Sequence, residues 1–180
     1  MSATAQTGYF FMPEHIILVG ASERPHSLGE RIFSHLLGSS YQGKITPVNL
    51  RHSSVAGIPS YSSLSKIPGQ ADLVVAVIPP DHYDSLFKAC RKKDLRHIIL
   101  IQDWENLPPE SCKNARSIIQ KYHGDELNIT VCNSAGIQLP SLNLNIGTQT
   151  DYPAGHIALL TGHSTVSRNI NHLLNTLQQG

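Results

Sequence analysis

Residues 16–30 read IILVGASERPHSLGE, and the fold is decided here. Ile16 to Val19 form a short apolar run with the β-branched bias of a buried strand. Gly20 ends it, and Ala21 and Ser22 keep the next turn small. Ser27 is placed to cap a helix that starts near Leu28, and Gly29 lets the first helical turn pack close to the strand. A strand, a small-residue turn and a helix N-terminus together make a phosphate cradle, because backbone N–H groups and the helix dipole point at the anion. The spacing of Gly20 and Gly29 fits neither G-x-G-x-x-G nor a phosphate loop with its lysine. The same residues therefore also suit a tight βα turn without a ligand.

Outward from this stretch, the chain alternates strands and helices. Arg31 to Leu37 continue the first helix, with Ile32, Phe33, Leu36 and Leu37 on one face, and Gly38 stops it. Lys44 to Leu50 make the second strand, and Ala56 to Pro68 a loop with a short turn. Asp72 to Ile78, DLVVAVI, is the continuous apolar run of a central parallel strand. Pro79 and Pro80 end it, and Asp81 caps a helix through about Lys92. Arg96 to Ile101 form the fourth strand, Pro108 sets up a helix to about His123, and Asn128 to Cys132 form the fifth strand. Residues 133–155 read as a long irregular link, His156 to Leu160 as a sixth strand and Thr165 to Leu177 as a last helix. The expectation is an α/β fold: a Rossmann-like doubly wound parallel sheet with an extra C-terminal βα unit. Residues 1–150 form the first domain, residues 151–180 the added unit, and ligands sit at the C-terminal strand ends.

Composition narrows the function. The 180 residues, 40% hydrophobic, suit one domain or one domain plus part of another. A net charge of +1 gives no field that would favour nucleic acid or an anionic membrane. No apolar run is long enough to span a bilayer, and the first 15 residues lack the pattern of a signal peptide. Cys90, Cys112 and Cys132 include no C-x-x-C, which fits a reducing, cytoplasmic setting. The ten histidines are scattered with no H-x-H or H-E-x-x-H, so no metal is expected. Cys132 has no His or Asp partner in sequence and reads as a structural thiol.

The end of the second strand speaks to the ligand. It reads Pro47-Val48-Asn49-Leu50-Arg51, without the carboxylate that usually holds the ribose hydroxyls of NAD. An arginine there can pair bidentately with phosphate, which favours a ligand with a ribose phosphate, NADP or coenzyme A. A solvated loop arginine is the alternative.

The runs VGASERPHSLGERIFSHLL and YQGKITPVNLRHSSVAGIPSYSSLSKIPGQADLVVAVIPP resemble the CoA-binding domain of the NDP-forming acyl-CoA synthetases. That family includes the succinyl-CoA synthetase α subunit and related protein lysine acetyltransferases. The resemblance runs from about Pro13 to the C-terminus. Gly57, Pro59 and Tyr61 match its G-x-P-x-Y, Ile78-Pro79-Pro80 its third strand end, and Asn133 and Gly136 its P-N-x-x-G. It implies that CoA or acyl-CoA lies over the strand ends. The turn Ser22-Glu23-Arg24-Pro25, with Gly20, would meet its phosphates, and Arg51, with Asn49, its nucleotide phosphates. Pro79 and Pro80 would meet its adenosine or pantetheine, and Gln102 and Asp103 would lie nearer the thiol.

The chain also departs from that pattern. Glu23 brings a carboxylate to the phosphate turn, and Trp104 stands where the family has glycine. Val131-Cys132-Asn133-Ser134 replaces Gly-Pro-Asn-Cys, and Thr161-Gly162-His163-Ser164 replaces a Ser-x-Ser-Gly phosphate loop. The resemblance places the phosphorylated histidine in a second, flavodoxin-like domain and ATP in an ATP-grasp module. His163 does not match that histidine, so no catalytic residue is expected, nor ATP-dependent acyl-CoA formation by this chain alone. Three readings follow: a CoA-binding module without catalysis of its own, an adaptor that kept the fold and lost the ligand, and an NADP-dependent reductase. HIALL, with the stripe Val166, Ile170, Leu173, Leu174 and Leu177, leads us to expect association through residues 155–180 with a second copy or a partner chain.

Overall fold

In the computed structural model, which describes residues 12–124, 127–151 and 154–176, β1 (His15–Val19) is flanked by two parallel neighbours. These are β2 (Lys44–Val48) and β5 (Leu73–Ala76). β6 (His97–Ile101) and β7 (Asn128–Cys132) extend the sheet in the order β2-β1-β5-β6-β7, every junction parallel. The winding reverses between β1 and β5, where crossovers leave to opposite faces and a crevice opens above the strand ends.

Strand alternation sorts the core into two layers. Ile17, Val74, Ile98 and Leu100 pack toward α2 (Tyr83–Lys92) and α3 (Pro109–Tyr122), against Tyr83, Phe87, Cys90 and Ala115. Ile16, Leu18, Leu73, Val75 and Ile99 pack toward α1 (Leu28–Gly38), against Ile32, Phe33 and Leu36. Because both faces are covered, β5 and β6 are buried along their whole length, which explains their unbroken apolar runs.

Several boundaries differ from the sequence expectation. β2 stops at Val48, two residues early, because Asn49 bends the chain with its own side chain. The segment read as a loop from Ala56 starts at the tip of a hairpin, β3 (Ser54–Val55) with β4 (Ile58–Pro59), and continues to a 3-10 turn at Leu64–Lys66. Asp81 does not cap α2: a 3-10 turn at Pro80–His82 leads into it without a side-chain cap. Gly38 is the last residue of α1 rather than its stop, and Ser39 N closes the helix on His35 O at 2.9 Å.

The irregular link holds a second hairpin, β8 (Ile137–Leu139) with β9 (Leu144–Ile146), whose Leu144 and Ile146 complete the α1-side core. Three-residue strands carry too little alternation to be seen in sequence. The expected sixth strand is absent: residues 156–160 form no strand, and Ile157 and Leu160 are 51% and 100% exposed. Without a neighbouring strand, β propensity alone does not make one. The last helix is present as α4 (Ser164–Thr176), and Leu177 lies outside the described residues.

Gly20 and Gly29 set the contact between β1 and α1. Gly20 has φ +93, and a Cβ there would lie 2.2 Å from Val77 O; one on Gly29 would lie 2.1 Å from Gly20 O. Gly20→Ala should therefore lower stability by about 3 kcal/mol or more, combining left-handed strain with overpacking against backbone. Gly38 has open space around it, and Gly38→Ala should be neutral or stabilising by up to about 1 kcal/mol. Urea midpoints measure both, and equal shifts would show that the close crossing is relieved elsewhere.

Candidate functional site

The β1–α1 turn is wired by its own side chains. Ser22 Oγ accepts from Arg24 N at 3.0 Å, Ser27 N donates to Arg24 O at 3.1 Å, and Ser27 Oγ caps α1 by accepting from Glu30 N at 3.2 Å. Small hydroxyl residues do this because they reach local N–H groups that the first helical turn leaves free. Gly20 N donates to Val48 O at 3.1 Å, and Val77 N to Val19 O at 2.8 Å, so β1 ends locked between its neighbours.

The segment after β2 is fastened to that turn. Asn49 Nδ2 donates to Ala21 O at 2.8 Å, while Asn49 Oδ1 accepts from Arg51 N at 2.8 Å and His52 N at 3.0 Å. Its amide thus bonds three backbone groups and holds the loop that presents Arg51. Tyr61 N donates to Pro47 O at 3.1 Å, and Asn49 N to Tyr61 O at 3.0 Å, which lays the Gly57-Ile58-Pro59-Ser60-Tyr61 segment along the outer edge of β2. Glu23 Oε1 accepts from Ala56 N at 2.6 Å, so its carboxylate is turned onto the hairpin tip. Arg24 and Arg51 are exposed, and among the described residues neither guanidinium has a hydrogen bond or ion pair. Pro79, exposed, and Pro80, buried, follow Val77, whose carbonyl abuts Gly20.

Gln102 and Asp103 belong to a second group over β6 and β7. Gln102 N at 3.3 Å and Trp104 Nε1 at 2.8 Å both donate to Cys132 O. Gln102 Oε1 accepts from Asp103 N at 3.1 Å, and Asp103 Oδ2 accepts from Asn106 Nδ2 at 2.6 Å. Trp104 packs against the α2–α3 side of the core, so the place of the family's glycine holds an indole bound across two strand ends.

The 161–163 loop is drawn in beside them. Asn133 Nδ2 donates to Gly162 O at 3.1 Å, and exposed His163 lies with Nδ1 3.3 Å from Glu105 Oε1. The two groups are joined through Arg31, whose Nη2 donates to Thr148 O at 3.2 Å; Thr148 N and Oγ1 in turn donate to Ser134 O. Sequence reasoning missed the Glu23, Trp104 and Asn133 links, because each pairs residues far apart in the chain.

Half-buried Cys132 has its thiol pushed up to about 11 by desolvation, and buried Cys90 is pushed up to about 12 by the same cause. Among the described residues no group of three His, Cys, Asp or Glu could hold a metal ion, and no helix is long and apolar enough to cross a membrane.

The model of the CoA binding domain family matches residues 14–139. The α subunit of ADP-forming acetate–CoA ligase II of Pyrococcus furiosus is 29% identical over 164 residues, covering 90% of this chain and 35% of that subunit. The α subunit of ligase I of the same organism is 26% identical over 157 residues, covering 84% and 34%. The apo structure of dinucleotide-forming acetyl-coenzyme A synthetase 1 from Ca. Korarchaeum cryptofilum shares the fold with a TM-score of 0.80 at 20% identity, over 96% of this chain and 38% of that one. The chain spans about a third of the length of these curated relatives.

The raised thiols make a measurable statement. Below its pKa of about 11, Cys132 should alkylate with iodoacetamide at a rate rising about tenfold per pH unit between pH 8 and 10. A free cysteine, titrating near about 8.5, would level off within that range. Peptide mapping by mass spectrometry reads each site, and a plateau at Cys132 near pH 9 would mean its thiol is not desolvated.

Proposed function

The chain belongs to the CoA binding domain family, and on that premise we propose that it binds coenzyme A or an acyl-CoA as the nucleotide-holding module of an NDP-forming acyl-CoA ligase, without catalysis of its own. The observation that carries this reading is the pair of unpartnered guanidiniums, Arg24 and Arg51, on two loops tied to one another beside the tight Gly20 turn. A ligand with a pyrophosphate and a separate ribose phosphate suits such a pair, because charge-assisted bonds from arginine to phosphate are strong and bidentate. Gly20, Ser22 and Arg24 take the pyrophosphate and Arg51 the ribose phosphate, with Asn49 holding the Arg51 loop. Pro79, backed by the buried Pro80, lines the adenosine or pantetheine, and Gln102 and Asp103 stand toward the thiol.

The P. furiosus relatives are named as subunits, so we extend the proposal to a partner chain or further domain that supplies the nucleotide chemistry. Ile157, Leu160, Val166 and Leu173, all exposed and apolar, are the surface proposed for that contact. A second reading, an adaptor that has lost the ligand, is favoured by the Trp104 indole fastened to Cys132 O over the β7 end.

Calorimetric titration separates the two. Arg51→Ala should weaken CoA by about 1.5–3 kcal/mol, the scale of a charge-assisted hydrogen bond, and leave dephospho-CoA nearly unchanged. Equal losses for both ligands would remove Arg51 from the ribose phosphate. No binding by the wild-type chain at millimolar CoA would decide for the adaptor.

A further inference from the structure

The loop carrying Arg51 is fastened to the β1–α1 turn at both ends. At its base Asn49 Nδ2 holds Ala21 O at 2.8 Å; at its far end Ala56 N is held by Glu23 Oε1 at 2.6 Å. The two anchor residues, Ala21 and Glu23, are next but one in sequence, so both ends of the loop meet the turn that bears Arg24. The far anchor has a local reason to exist. The hairpin tip is a two-residue turn with Ala56 at φ 49 and Gly57 at φ 75, between the paired residues Val55 and Ile58. Such a turn favours Asn, Asp or Gly at its first position, where a short polar side chain or a missing Cβ eases the left-handed conformation. Alanine offers neither, so the tip leans on an acceptor from outside, and Glu23 supplies it.

From this geometry we infer that Glu23 is a positioning residue for ligand selectivity: its carboxylate acts through the Ala56 N–H to hold the Arg51 loop where the guanidinium meets a ribose phosphate. The inference rests on the CoA reading above. It assigns Glu23 a part opposite to the one its charge suggests. An acid beside a phosphate site repels the ligand, but an acid whose oxygen is bonded to the hairpin keeps a cation in place. Without the anchor, Asn49 Oδ1 still holds Arg51 N and His52 N, but the far half of the loop loses its tie, so the Arg51 guanidinium must be ordered again each time ligand binds.

Two substitutions separate position from charge. Glu23→Gln removes the charge and keeps an oxygen acceptor; Glu23→Ala removes both. We expect the wild-type preference for CoA over dephospho-CoA to shrink in Glu23→Ala by about three- to tenfold, the cost of ordering one or two side chains on binding. Glu23→Gln should keep the preference. Amide hydrogen exchange at Ala56, followed by NMR on the unliganded chain, should accelerate in Glu23→Ala and stay near wild type in Glu23→Gln, with cooperative melting curves showing both variants folded. Two variants that tighten CoA equally would show that Glu23 acts by charge alone and would overturn the inference. So would an Ala56 exchange rate indifferent to Glu23→Ala, or an unaltered ligand preference in that variant. A wild-type chain that binds no CoA would instead sink the functional reading itself, while the Ala56 exchange would still report whether the anchor is real.

Discussion

The crossing of β1, β5 and α1 at Gly20 is the constraint on which the ligand end of this molecule depends. The Gly20 carbonyl lies where a Cβ of Gly29 would fall, and Val77 O lies where a Cβ of Gly20 would fall. Three backbone segments therefore meet with no side chain between them. That contact brings the N-terminus of α1 down onto the switch point of the sheet, where the crossovers to either face leave the strand ends open. The two core layers hold the crossing from both sides, with Ile17 and Val74 facing α2 and Ile16 and Leu18 facing α1.

Around this crossing, polar side chains are spent on backbone. Ser22 and Ser27 bond main-chain groups of their own turn, and Asn49 and Glu23 those of a neighbouring one. Arg24 and Arg51 are left over, exposed and unpaired among the described residues. The division has a physical logic, since short side chains reach local N–H groups at little entropic cost while guanidiniums remain available to an anion. The other half of the strand-end edge is built differently. Over β6 and β7 the donors converge on Cys132 O, and the Trp104 indole covers the ground between them. One edge thus combines an open, cationic half with a closed, aromatic one.

Much of this was legible in the residues. The runs at 16–19, 72–78 and 96–101, the breakers between them and the small turn at Gly20 announce a parallel sheet with its ligand end above β1, because burial on both faces needs unbroken hydrophobic strands. The resemblance carried by Gly57, Pro59, Tyr61, Asn133 and Gly136 pointed to the family whose model matches residues 14–139. The resemblance also set Glu23 beside a phosphate site, yet its carboxylate bonds Ala56 N, 33 residues away in sequence.

Tertiary structure alone decided the rest. Residues 144–146 became a strand because the α1 face needed Leu144 and Ile146 to close it, whereas 156–160, more apolar to the eye, stayed without a strand to pair with. Local pattern records which side chains prefer burial, so it determines the layers and the order of elements. It holds no record of which distant donor meets which acceptor. Those pairings, Glu23 with Ala56 and Trp104 with Cys132, arise only when the packed sheet brings loop ends together, and they decide which charges stay free to meet a ligand.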